Sequence, residues 1–128
     1  MHIWPTFEPI YRTILAMGKK TELNITVELD ENNLPINMTW SSSDGDQKST
    51  SKALFLSLWD EKEKNSMHLH LWTKEMMLDE MKQFMHQTLL AESDTIKRAI
   101  GDEKLAGSLY DFAHDFALKA GILKNVEK

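Results

Sequence analysis

A two-layer α+β domain is the fold this sequence predicts: a four-stranded antiparallel sheet of two hairpins, with two antiparallel helices packed on one face. Three observations carry that prediction. Apolar and polar residues alternate in four short runs between Leu23 and Trp72. The period then changes to three or four after Thr73, and glycines at 101 and 121 close two helical stretches. Strands followed by helices, each with one apolar side, bury those sides in two layers.

Leu23, Ile25, Val27 and Leu29 share one face of a first strand, and Asn24, Thr26 and Glu28 the other. Asp30-Glu31-Asn32-Asn33 is a turn, because Asn and Asp tolerate left-handed backbone and bond locally. Leu34, Ile36, Met38 and Trp40 continue the alternation into a second strand, where Pro35 marks an edge or an irregularity. Ser41 to Ser51, with Asp44-Gly45-Asp46, reads as a polar loop. Leu54, Leu56 and Leu58, a turn over 60–65, and Met67, Leu69 and Leu71 form a second hairpin.

Met77, Met81, Phe84, Met85, Thr88, Leu89, Ile96, Ala99 and Ile100 then fall on one helical stripe, interrupted at Glu92 and Thr95, which marks either a bend or a thinner contact. Gly101 ends this helix and Asp102 caps the next, which is expected to bury Leu105, Leu109, Phe112, Ala113, Phe116 and Ala120. Residues 19–124 make a single domain in this reading. Residues 1–18 are an N-terminal extension in which Pro9 suits the start of a short helix, and residues 125–128 are a tail.

Composition narrows the function classes. The 128 residues contain no cysteine, which excludes disulfides, thiolate zinc sites and cysteine catalysis and suits a reducing compartment. The net charge of −5 comes without a basic run, which argues against nucleic-acid binding and against binding anionic membranes. No apolar run approaches the roughly 20 residues needed to cross a bilayer, so direct membrane insertion is not expected. The first residues lack a basic start and are broken by Pro5, Glu8, Pro9, Tyr11 and Arg12, unlike a signal peptide.

Catalytic motifs are weak. Asp111, His114 and Asp115 lie about one helical turn apart but on the polar side, where solubility is the simpler role. No glycine loop fit for phosphate is present, and no enzyme is expected. His68 and His70, two apart on a strand, point to the same face and offer two imidazoles to a metal or small ligand. His86 and His114 belong to helices, so no spaced third ligand is evident and no metal or other cofactor is assigned. Met77, Met81 and Met85 match the buried stripe better than a copper motif. Asp44-Gly45-Asp46 is only a fragment of a calcium loop. The glycosylation patterns at Asn24 and Asn37 fall in strands and read as chance.

One surface is less ordinary. If the leucines of the second hairpin face the core, parity sends Phe55, Trp59, His68, His70 and Trp72 to the opposite face. Large aromatics on a face meeting water have three explanations. They bind a partner or a second copy, they are covered by Trp4, Phe7 and Tyr11 of the extension, or they are strand ends half-buried by loops.

The runs ELDENNLP, WSSSDGD, SLWDEKEKN, LWTKEM, DEMKQF, QTLL, SDTIKRA and GDEK, in this order, resemble the gliding motility protein GldC family. The likeness spans about Lys19 to Ile122. It implies a cytoplasmic, non-enzymatic accessory of the gliding machinery of Bacteroidota. Taken with the outward aromatic face, it points to a protein partner of that machinery, with a homodimer as the other occupant of that face. No active-site residue carries over from the family. Two departures stand out. Family members begin near Met17, so residues 1–16 read as an added extension or an early start, and Met77 stands where the family carries proline.

Overall fold

The computed structural model describes residues 20–43 and 48–123. In chain order these form β1 (Leu23–Leu29), β2 (Pro35–Ser42), β3 (Lys48–Ser51), β4 (Ala53–Asp60), β5 (Asn65–Trp72), α1 (Leu78–Thr95), a π-helical turn (Ile96–Ile100) and α2 (Glu103–Ala120). They group into two compact units, the strands up to Met77 and the helices from Leu78. The fold is α+β. The extension, the Asp44-Gly45-Asp46 turn and the final residues lie outside the described residues.

The strands correct the expected sheet. They form two antiparallel ladders, β1-β2-β3 and β4-β5, in place of one four-stranded sheet. The polar run expected to be a loop supplies the extra strand: β2 continues to Ser42, and Lys48–Ser51 pairs with Met38–Ser41. A strand made of lysine, serine and threonine carries no apolar alternation, so its period is silent in the sequence. Only Lys52 separates β3 from β4.

Pro35 marks an irregularity, as expected, though β2 is the central strand. Glu28 pairs with Asn37 but Leu29 with Pro35, so Ile36 is the extra residue of a bulge. β3 pairs only from Met38 onward, so the prolyl nitrogen lies where no ladder bond is required. The bulge also breaks the alternation. Met38 is buried at 1% exposure, whereas Leu34 and Ile36 are exposed.

The β1–β2 turn is held by Asp30. Its Oδ1 accepts the backbone N–H groups of Asn32 at 2.8 Å and Leu34 at 3.0 Å. Asn33 takes the left-handed backbone its side chain tolerates, at φ 64°. The Leu34 N–H holds the Asp30 carboxyl below its ordinary value; desolvation opposes it, and the Asn32 N–H and the charge of Lys74 add to the lowering.

The helices form an antiparallel pair: Ser93 Oγ donates to the Ala106 carbonyl at 2.8 Å, and Lys82 Nζ to the Ala120 carbonyl at 3.2 Å. Their buried residues match the expected stripes in part: Ala113 is buried as expected, and Met81, Phe84, Leu89, Leu109, Phe116 and Ala120 are half-buried. Ala106, Ala113 and Ala117 are fully buried on the side of α2 that meets α1, and Ala91 is nearly so on α1. Leu105, Phe112, Met77, Met85 and Ile100 are exposed instead. Small side chains let two helix axes approach closely, so the alanines take the contact and the large residues flank it.

The α-helix gives way to a π turn directly after Thr95, one of the two residues that interrupt the apolar stripe. Thr88 and Thr95 hydroxyls donate back to the Phe84 and Ala91 carbonyls, which bends helices. The π turn follows at once, its Gly101 N–H bonding to the carbonyls of Ile96 and Lys97. Gly101 and Gly121 both adopt left-handed backbone at the helix ends, and Asp102 Oδ1 accepts the Leu105 N–H at 2.9 Å.

Two outcomes test this description. Ala113→Leu lowers stability in chemical denaturation by about 1–3 kcal/mol through overpacking, while Phe112→Leu, at an exposed position, changes it by less than about 0.5 kcal/mol. The lowered Asp30 pKa means that the folded chain holds this carboxylate ionised more readily than the unfolded chain. Its stabilisation is therefore full above the unfolded value of 3.8 and fades as pH falls through the lower folded value. Asp30→Asn removes that part of the acid limb in stability measured against pH.

Candidate interaction surface on the β4–β5 hairpin

The second hairpin owes its register to a clamp at its open end. Thr73, buried at 4% exposure, donates both its backbone N–H (2.9 Å) and its Oγ1 (3.1 Å) to the Lys52 carbonyl. At the closed end, Asp60 accepts the Lys64 N–H on its carbonyl and the Glu63 N–H on Oδ2, and Lys64 turns the chain at φ 56°. Between these ends Ala53 pairs with Trp72, Phe55 with His70, Ser57 with His68 and Trp59 with Ser66. Directly paired residues share a face. Phe55, Trp59, His68, His70 and Trp72 therefore stand together on one face, as parity predicts.

Along this face the groups form a file. The Phe55 and His70 rings lie 4.3 Å apart at 38°, and His70 meets His68 edge-on at 6.1 Å. Ser57 Oγ lies 2.9 Å from His68 Nδ1, and Ser66 Oγ 2.8 Å from Nε2. A neutral imidazole donates through one nitrogen and accepts through the other, so the two serines take opposite roles. Trp59 and Trp72 mark the two ends, about 20 Å apart at strand spacing, and are 70% and 56% exposed. Phe55 is half-buried and the histidines are exposed.

Ser57 and Ser66 are site residues that sequence reasoning missed. Their parity with Phe55 and Trp59 is legible, but contact with His68 requires the register. A metal at His68 has to displace one of these hydroxyls, since each ring nitrogen already has a serine partner. Among the described residues no three His, Asp or Glu side chains converge on one point. The helical trio is spread over an exposed surface, with Asp115 paired to Lys119 at 2.9 Å.

The opposite face departs from expectation. Leu54, Leu56 and Leu71 are half-buried, but Leu58, Met67 and Leu69 are 51%, 52% and 41% exposed. This corrects the expectation: burial is greatest toward the open end of the hairpin, where Leu54 pairs with Leu71, and is lost toward the turn, where Leu58 pairs with Met67.

Residues 35–122 match the family described as gliding motility-associated protein GldC-like. The chain belongs to the GldC-like family. No curated protein and no solved structure matches it. The GldC-like match runs from the first residue of β2 past the end of α2 and contains the whole aromatic face. Among the described residues, no helix is long and apolar enough to cross a membrane.

Because the tryptophan rings project into solvent, replacing Trp59 and Trp72 by alanine together changes unfolding stability by less than about 1 kcal/mol. Phe55→Ala costs more, on the order of 1–2 kcal/mol, because it removes buried area and the ring contact with His70. Urea denaturation of the variants measures both.

Proposed function

We propose that this chain is a non-enzymatic accessory of the gliding machinery of Bacteroidota, acting in the cytoplasm by protein–protein contact through the aromatic face of β4–β5. Membership of the GldC-like family supports the link to gliding. The observation that carries the contact is the pair of exposed tryptophans on one face with Phe55, His68 and His70. Exposed aromatic anchors lose water on docking and supply much of the energy of protein interfaces. The histidines and serines between them present hydrogen-bonding groups that orient a partner backbone or polar side chain. The acidic charge and the lack of a basic run favour a protein partner over nucleic acid.

The test is a pull-down from a gliding host with the native chain and the Trp59→Ala/Trp72→Ala variant, read by mass spectrometry and paired with a gliding assay. The native chain captures a component of the gliding machinery, and the folded variant loses it and fails to restore gliding. A variant that keeps both the partner and gliding removes the aromatic face from the account.

A further inference from the structure

β5 is built unlike the other strands. β1 carries Glu28, β3 is four residues long and begins with Lys48, β4 ends in Asp60, and β2 holds Pro35 in the middle of its sheet. β5, NSMHLHLW, has eight residues and no proline, glycine, lysine, arginine or carboxylate. Charge, proline and shortness are the usual protections of a sheet edge against pairing with another chain, and this edge has none of them.

It is also open. Among the described residues β5 pairs only with β4, and every residue of it is exposed except Leu71, which is half-buried. The first half of β4 is half-buried, so the two edges are not equivalent. A two-stranded ladder alone is marginally stable in water and gains its stability from a third strand or a covering layer.

The bond from Thr73 N–H to the Lys52 carbonyl sets the phase of the ladder. Residues 67, 69, 71 and 73 turn their backbone groups toward β4. Ser66, His68, His70 and Trp72 turn theirs outward.

We propose that this outward edge pairs with the β5 of a second copy, antiparallel and about a two-fold axis at Leu69, giving a continuous β4-β5-β5-β4 sheet. Three features argue for a second copy. The edge has no formal charge, so two copies bring no like charges together along the strand. A two-fold axis perpendicular to the sheet puts every residue opposite one of equal parity, which keeps the leucine and aromatic faces separate. With the axis at Leu69, Leu69 meets Leu69, and Met67 meets Leu71 in both directions, so all three apolar residues on the leucine face of the edge find apolar partners. The outward N–H and C=O groups of His68 and His70 then bond across the axis. The aromatic face stays open and becomes a surface twice as wide across the strands. This pairing goes beyond the aromatic-face reading and can fail without it.

The native chain has no cysteine, so a single substitution reports the pairing. In the proposed register Leu69 faces its own copy in a non-hydrogen-bonded pair with Cα atoms about 4.5 Å apart, within disulfide range. Leu69→Cys in the full-length chain, oxidised in air, therefore converts to a covalent dimer on a non-reducing gel. Leu56→Cys, on the same face but on β4, lies about 14 Å from its copy at strand spacing and remains monomeric on that gel. Sedimentation of the native chain, which needs no variant to fold, gives twice 14.8 kDa. A native mass of one chain overturns the proposal. So does a dimer in which Leu69→Cys fails to cross-link, or in which Leu56→Cys cross-links equally well.

Discussion

The hydrogen bonds from Thr73 to the Lys52 carbonyl are the constraint on which the rest of the β4–β5 surface depends. Two donors from one buried residue fix the open end of the hairpin, and Asp60 fixes the closed end. Strand parity has a period of two, so a slip by one residue sends every side chain on the slipped strand to the other face. With the register held, Phe55 lies against His70 and His68 lies between two serines. With it lost, leucine stands where histidine is needed.

The two compact units solve burial differently. In the helical unit, alanines at 91, 106, 113 and 117 form the close contact, and Asp94, nearly buried, is paired with Arg98 at 2.8 Å. A buried carboxylate needs such a partner, because an unpaired charge out of water is costly. In the strand unit Met38 is the only large side chain among the described residues that is fully buried. Much of its apolar surface, at Leu23, Leu58, Trp59, Met67 and Trp72, is exposed. A chain that leaves aromatics and leucines on both faces of one hairpin is suited to completing its burial against another molecule.

The strands, helix stops and face assignments were legible because each rests on a local rule. Alternation from Leu54 to Leu58 and from Met67 to Leu71 specifies the hairpin and so places five site residues on one face. Gly101, Asp102 and Gly121 mark helix ends by backbone chemistry alone. What was not legible depended on distant partners. β3 is wholly polar, and its strand character comes from pairing with β2. The bulge at Ile36 changes which residues of β2 share a side. The helical stripes included Ala113 but missed Ala91, Ala106 and Ala117, because periodicity identifies a face and not which of its residues the neighbouring helix covers.

Cross-strand proton contacts in the folded, full-length chain test the central register most directly. Non-hydrogen-bonded antiparallel pairs bring Cα atoms to about 4.5 Å, close enough for strong Hα–Hα nuclear Overhauser effects. The account predicts such effects between Phe55 and His70, between Ser57 and His68, and between Trp59 and Ser66. Effects linking Phe55 to Leu69 or Leu71 would contradict it, since that slip splits the aromatic and histidine residues between the two faces.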